Sequence, residues 1–170
     1  MASNLYTSEL MVQAVNLIRT DEPIGGGNVG LVLAQEGDLS QLNLDLDLDT
    51  LVPAVFVRPQ EGQMEFEASD LVVGFYDITY FFRILLLDTF DTTDNVLQAQ
   101  LEKSKYIADV FMRDVSRFTN PHAEANVLYS LLTSVDYDPP EKEELSRIGV
   151  NQVWVTAFTL EIRVNQARQT

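Results

Sequence analysis

An α+β fold is predicted: a mixed or antiparallel β-sheet of about four to five strands, packed against one long helix plus an N-terminal helix, with a projecting β-hairpin arm. Three observations predict it. The run from Asp77 to Asp88, DITYFFRILLLD, is too short to span a membrane and too rich in Ile, Phe, Tyr and Leu to stand in water, which reads as a sheet strand buried on at least one face. Two segments, Pro53–Val57 and Gln152–Val164, carry patterns that suit them as its partners. Between the last two lies one long amphipathic stretch, from about Asp94 to Arg117.

At 170 residues the chain suits one domain, 1–170, long enough to bury roughly 70% of the surface its unfolded form exposes. In chain order, Tyr6, Leu10, Ala14, Leu17 and Ile18 recur at three- and four-residue spacing and predict the first helix. Ser3 or Asn4 caps its start and Asp21-Glu22-Pro23 ends it. A polar extended leader follows over 24–50. Its Gly25, Gly27 and Gly30 fit the G-x-G-x-x-G spacing, but they follow a helix and lead into Leu31-Val32-Leu33, the reverse of the strand-then-helix setting a dinucleotide site needs. Leu42–Asp49, LNLDLDLD, alternates strictly and predicts a strand with one apolar and one acidic face. Its D-x-D-x-D is not an EF-hand: counted from Asp45, position six is Thr50 and position twelve is Phe56, where Gly and Glu are required.

Val52–Arg58 predicts a short strand with Pro53 at its mouth. Glu61-Gly62-Gln63 is the expected turn, and Met64–Val73 the projecting arm. After the buried strand, Asp91–Asp94 offers helix caps. Along the long helix Leu97, Leu101, Ala108, Phe111, Val115 and Phe118 form the expected core stripe, flanked by Ile107 and Val110, and Asn120-Pro121 stops it. Asn126–Thr133 is ambiguous between helical turn and strand, Ser134–Asp138 reads as a strand, and Glu141–Gly149 as a charged loop or single helical turn. In the final strand Trp154, Phe158, Leu160, Ile162 and Val164 share one face and Val153, Val155, Thr159, Glu161 and Arg163 the other; 165–170 reads as a flexible tail. The expected core is therefore Phe56, Tyr80, Phe82, Leu97, Leu101, Phe111, Val115, Trp154, Phe158, Leu160 and Ile162.

Cysteine is absent and there is a single histidine, His122, beside Pro121 in a turn. Disulfides, thiolate metal sites and the common zinc sites are thereby excluded; no Cys or nearby Ser-Asp constellation makes a triad with His122, and no P-loop occurs. No cofactor, metal or catalytic residue is expected. Paired carboxylates are abundant, but nothing singles out two as an acid and a base, so the chain is not read as an enzyme. The N-terminus lacks a basic region followed by an apolar core, so neither secretion nor membrane insertion is indicated.

Charge is the outlier: 26 acidic against 11 basic side chains, a formal net of −15. Between Gln35 and Asp70 nine acids face Arg58 alone, a local net of −8. Such a surface repels a phosphate backbone, which speaks against gripping nucleic acid. It suits either a solvated face or one that must meet DNA without sticking to it.

Three stretches, LVPAVFV at 51–57, VDYD at 135–138 and VWVTAFTLEI at 153–162, together with the order of elements around them, resemble the tail terminator (tail completion) proteins of bacteriophages. The resemblance implies a structural virion protein of the neck: a homo-oligomer, usually a hexameric ring, that caps the tail tube, ends its polymerisation and docks to the head. It implies a tail tube protein (with a sheath if the tail is contractile) on one side and a head-tail connector on the other, assembly in the host cytoplasm, and DNA passing through without specific binding. Joined to the charge pattern, it suggests that Asp45, Asp47, Asp49, Glu61, Glu65 and Glu67 face the channel or its rim. The arm residues Met64, Phe66, Leu71, Val73 and Phe75 are then candidates for subunit contacts, since a ring needs two different patches on each subunit. Another neck or connector protein is the nearest alternative. A small soluble enzyme with a carboxylate of raised pKa in a closed pocket is the other.

Overall fold

The computed structural model describes residues 5–21, 29–37, 51–70, 74–89, 95–112, 117–147, 149 and 152–167, with the backbone alone for 61–70. Its elements are α1 (Thr7–Asp21), β1 (Leu33–Glu36), β2 (Ala54–Asp70), β3 (Phe75–Thr89), α2 (Val96–Met112), β4 (Ala125–Asp136), α3 (Glu141–Arg147) and β5 (Val153–Ala167). The strands form one five-stranded sheet in the order β1-β2-β3-β5-β4. β1 runs parallel to β2 and every other pairing is antiparallel. The fold is α+β, as the sequence predicts.

The central strand is the apolar run. β3 pairs with β5 along its whole length, from Phe75 opposite Ala167 to Thr89 opposite Val153. Both its faces are used. Ile78, Tyr80, Phe82, Ile84 and Leu86 join Trp154, Phe158, Leu160, Ile162 and Val164 in the larger core, covered by Leu10, Ala14, Val15 and Ile18 of α1 and by Ile107, Val110 and Phe111 of α2. On the reverse, Leu85 and Leu87 join Phe56, Val153, Val155 and Ala157 in a smaller core that receives Leu145 of α3. The larger core alone removes some ten big side chains of the sheet from water, each contributing about 1.5–3 kcal/mol.

Several expectations are corrected. Glu61-Gly62-Gln63 is not a turn. β2 continues through it to Asp70, and the ladder absorbs the polar residues as an irregularity: from Pro59 to Met64 β2 takes five steps while β3 takes two, from Phe82 to Tyr80. The reversal comes after Asp70, and Gly74, with φ of 77°, takes the left-handed conformation that glycine tolerates best. In the hairpin, β5 pairs with β3 to its end. Residues 165–167 are strand rather than tail: Tyr80 donates to Gln166 Oε1 at 2.8 Å and Asn165 Nδ2 to Asp77 Oδ1 at 2.6 Å, so these polar side chains have partners and need no solvent. The ambiguous segment 126–133 is part of edge strand β4. The strand expected at 42–49 lies outside the described residues. Gly30 sits between α1 and β1, a helix before it and a strand after.

The clearest correction concerns α2. Leu97 is 60% and Leu101 42% exposed, whereas Gln100, Ser104, Ile107, Val110 and Phe111 are buried. The buried face is thus rotated away from the most apolar stripe. Hydrogen bonding decides it: Gln100 Nε2 donates to the carbonyls of Tyr137 at 2.9 Å and Val155 at 3.1 Å and to Thr156 Oγ1 at 3.1 Å, while Ser104 Oγ donates to Thr156 Oγ1 at 2.8 Å. Thr156 is a fully buried hydroxyl in the middle of the sheet, and an apolar helix face over it would leave it without a donor or acceptor. Phe56, Tyr80, Phe82, Phe111, Trp154, Phe158, Leu160 and Ile162 are buried; Val115 lies outside the described residues.

Candidate functional site

The sheet has two open edges. β1 covers β2 only over Ala54–Val57, so among the described residues Arg58–Asp70 has no strand on its outer side. At the opposite edge, β4 pairs with β5 alone. The two edges differ in chemistry. The β2 edge carries Glu61, Glu65, Glu67 and Asp70, acids of the kind that keep a sheet edge from pairing with a copy of itself. β4, ANVLYSLLTSVD, carries one charge in twelve residues and exposes Leu128, Leu131 and Val135.

α2 adds to the apolar surface on the Val135 side of β4: by register Val135 stands opposite Phe158, on the face α2 covers, whereas Leu131 stands opposite Glu161 on the reverse face. At 100° per residue, Leu97, Leu101, Ala108 and Met112 fall about 60–120° to one side of Gln100. Lys103 falls on the other side, where it ion-pairs with Asp88 at the end of β3. The leucine side therefore faces away from β3 and toward β4, on the flank where Gln100 meets the Tyr137 carbonyl just past the strand. Leu97, Leu101 and Met112, the last 70% exposed, thus lie on the same flank as Val135 and Tyr137. An uncovered apolar stretch spread over a helix and an edge strand is characteristic of an interaction surface. The stripe expected in the core is thus only partly buried: Phe111 is, and Leu97 and Leu101 are not.

Of the residues expected at a channel, Asp45, Asp47 and Asp49 lie outside the described residues, and Glu61, Glu65 and Glu67 lie along β2, where only the backbone is described. Of the arm residues, Met64 and Phe66 stand opposite Tyr80 and Ile78 in the ladder, Phe75 opens β3 and is partly buried, and Leu71 and Val73 lie outside the described residues.

A polar site on the reverse face is assembled from residues far apart in the sequence. Arg58 and Arg83 stand directly opposite one another on β2 and β3, and Thr159 is next in the same row on β5. Like charges so placed repel. Glu141, the first residue of α3, resolves the clash: Arg83 Nε and Nη2 donate to its two carboxylate oxygens at 2.8 and 3.2 Å, and Arg58 Nη2 lies 3.5 Å from Oε1. Arg83 Nη1 also donates to Thr159 Oγ1 at 3.2 Å. Burial works to raise the Glu141 pKa, but the Arg83 hydrogen bonds, its own backbone N–H and the two guanidinium charges outweigh that and hold it below the ordinary carboxylate value. A cleft of about 350 Å³ opens beside the group, lined by Arg58, Gln60, Arg83, Pro140, Glu141 and Glu144. The shift is opposite in direction to that of a buried general acid.

His122 is exposed and stacks on Tyr6 with ring centroids 6.0 Å apart. No group of three His, Asp or Glu side chains spaced to hold a metal occurs among the described residues, and no described helix is long and apolar enough to cross a membrane. No protein-family model matches this chain, and no curated protein sequence does either.

Proposed function

We propose that this chain is a structural subunit of a tailed bacteriophage, the tail terminator, which forms a ring that caps the tail tube and lets DNA through. The observation that carries the reading is the pair of unlike flanks on one sheet: an acidic open edge at β2 and an apolar open edge at β4 continued by Leu97, Leu101 and Met112 of α2. Two acidic edges repel, so contacts through β2 favour a different partner surface, and a head-to-tail contact repeated by rotation closes a ring. Sheet continuation from β4 of one copy to β2 of the next satisfies both rows of edge amides and carbonyls. The resemblance in 51–57, 135–138 and 153–162 and the net charge of −15 agree with this use: carboxylates around a channel leave a passing polyanion no cation to stall on.

Imaging of the concentrated full-length protein by electron microscopy tests the reading. Annular particles of uniform copy number, six in the simplest case, are expected. Single subunits or two-fold dimers at every concentration would overturn it.

A further inference from the structure

The reverse face of the sheet is apolar where it begins and charged where it ends, and α3 spans the junction. Phe56, Leu85 and Ala157 are fully buried, and Val155 nearly so, on that face, yet α3 contributes one side chain, Leu145, to the cluster they form. The helix has seven residues, too short to persist in water without the surface it lies on. Upstream it hangs from Pro139-Pro140. Downstream Gly149 has φ of 90°, with open space where a side chain would be. Its anchors are the Glu141 carboxylate, shared between Arg83 and Arg58, and the more exposed Glu144, 3.7 Å from Arg58 Nη1.

We propose that α3 is a latch: Glu141 on the Arg58–Arg83 pair pins a short helix that lifts as a unit, ahead of global unfolding, and bares the apolar side chains beneath Leu145. The placement follows from the register. Glu141 sits over the row Arg58, Arg83, Thr159, and one helical turn onward Leu145 advances about 6 Å, close to the two-residue step from Thr159 to Ala157 on β5. Leu145 is therefore the stopper over Ala157 and Leu85. Lifting α3 takes the Glu141 carboxylate away from Arg83 and Arg58 and uncovers the side chains beneath Leu145. This device does not depend on ring formation.

The absence of cysteine makes a thiol-labelling test clean. Ala157→Cys reports on the reverse face under the latch. Ser104→Cys, a near-isosteric change, reports on the opposite face beneath α2, where Ser104 is buried. Labelling of the native protein with a small maleimide is expected to be at least tenfold faster at position 157 than at 104. Adding Glu141→Gln should speed position 157 by a further tenfold while leaving 104 unchanged. Hydrogen exchange of the 141–147 amides against those of 100–111 gives the same comparison in the unmodified chain, should Ala157→Cys not fold. Equal rates at the two faces, or equal acceleration of both by Glu141→Gln, would overturn the proposal.

Discussion

Leu97 and Phe111 occupy the same helix and, by sequence period, the same stripe, yet the structure assigns them opposite energetic roles. Phe111 is 5% exposed, packs in the main core and stacks on Phe118 with centroids 6.4 Å apart. Truncation to alanine leaves a ring-sized void between α2 and the sheet and should cost about 3–5 kcal/mol. Leu97 is 60% exposed, so with under half of its surface withdrawn from water the same truncation should cost about 1 kcal/mol or less, scaled from the 1.5–3 kcal/mol of a fully buried leucine. For a chain of 170 residues each kcal/mol moves Tm by about 2–4 °C, so Phe111→Ala should melt roughly 6–20 °C low and Leu97→Ala within about 4 °C of the parent. Urea and thermal unfolding followed by circular dichroism, at a concentration where light scattering gives a monomer, read this directly. The monomer condition matters because a neighbouring subunit covering Leu97 would add its own stabilisation. Equal losses for the two variants would refute the orientation assigned to α2, and with it the apolar flank.

Gln100→Ala removes the amide that serves two carbonyls and the Thr156 hydroxyl and should destabilise by about 1–3 kcal/mol in urea titration, more than Leu97→Ala despite its polar side chain. The Glu141 pKa is lowered on folding, so its contribution to stability is present above the ordinary carboxylate value and is lost as pH falls through the depressed folded value. Unfolding free energy measured from pH 7 down to pH 3 should therefore fall less steeply for Glu141→Gln than for the parent; identical slopes would contradict the clamp. If the proposed ring forms, Glu61→Lys/Glu65→Lys/Glu67→Lys should bind duplex DNA in a salt-sensitive way in fluorescence anisotropy and the parent should not; no binding by the variant at low salt would count against placing these residues at the proposed channel.

The parts of the fold that could be read in advance are those where one physical effect dominates. The strand DITYFFRILLLD and the two faces of 153–164 carry enough apolar side chains that only burial suits them. The parts that could not be read depend on partners distant in sequence. Nothing near Gln100 announces that Thr156 needs a donor, and that need turns α2 by enough to expose Leu97 and Leu101. β2 runs on through Glu61-Gly62-Gln63, which look like a turn, because β3 is backed by β5 and offers its edge as far as Phe75. Glu141 matters only once register sets Arg58 opposite Arg83, 25 residues along the chain; the one local hint is Asp138-Pro139-Pro140-Glu141, a D-x-x-E spacing of the kind that opens helices. The stripe at Leu97, Leu101 and Ala108 was visible in the sequence, but its period alone did not say that Leu97 and Leu101 lie outside the core.

The account rests most on the apolar flank being a surface for a second copy. Light scattering across a concentration series, on the parent chain and on Leu97→Asp/Leu101→Asp, tests it most directly. The parent should approach a discrete multiple of its 19.2 kDa mass, six copies in the simplest case, while the variant stays at one copy with its Tm within a few degrees of the monomeric parent. A parent that remains a monomer throughout, or a variant that assembles as the parent does, would contradict it.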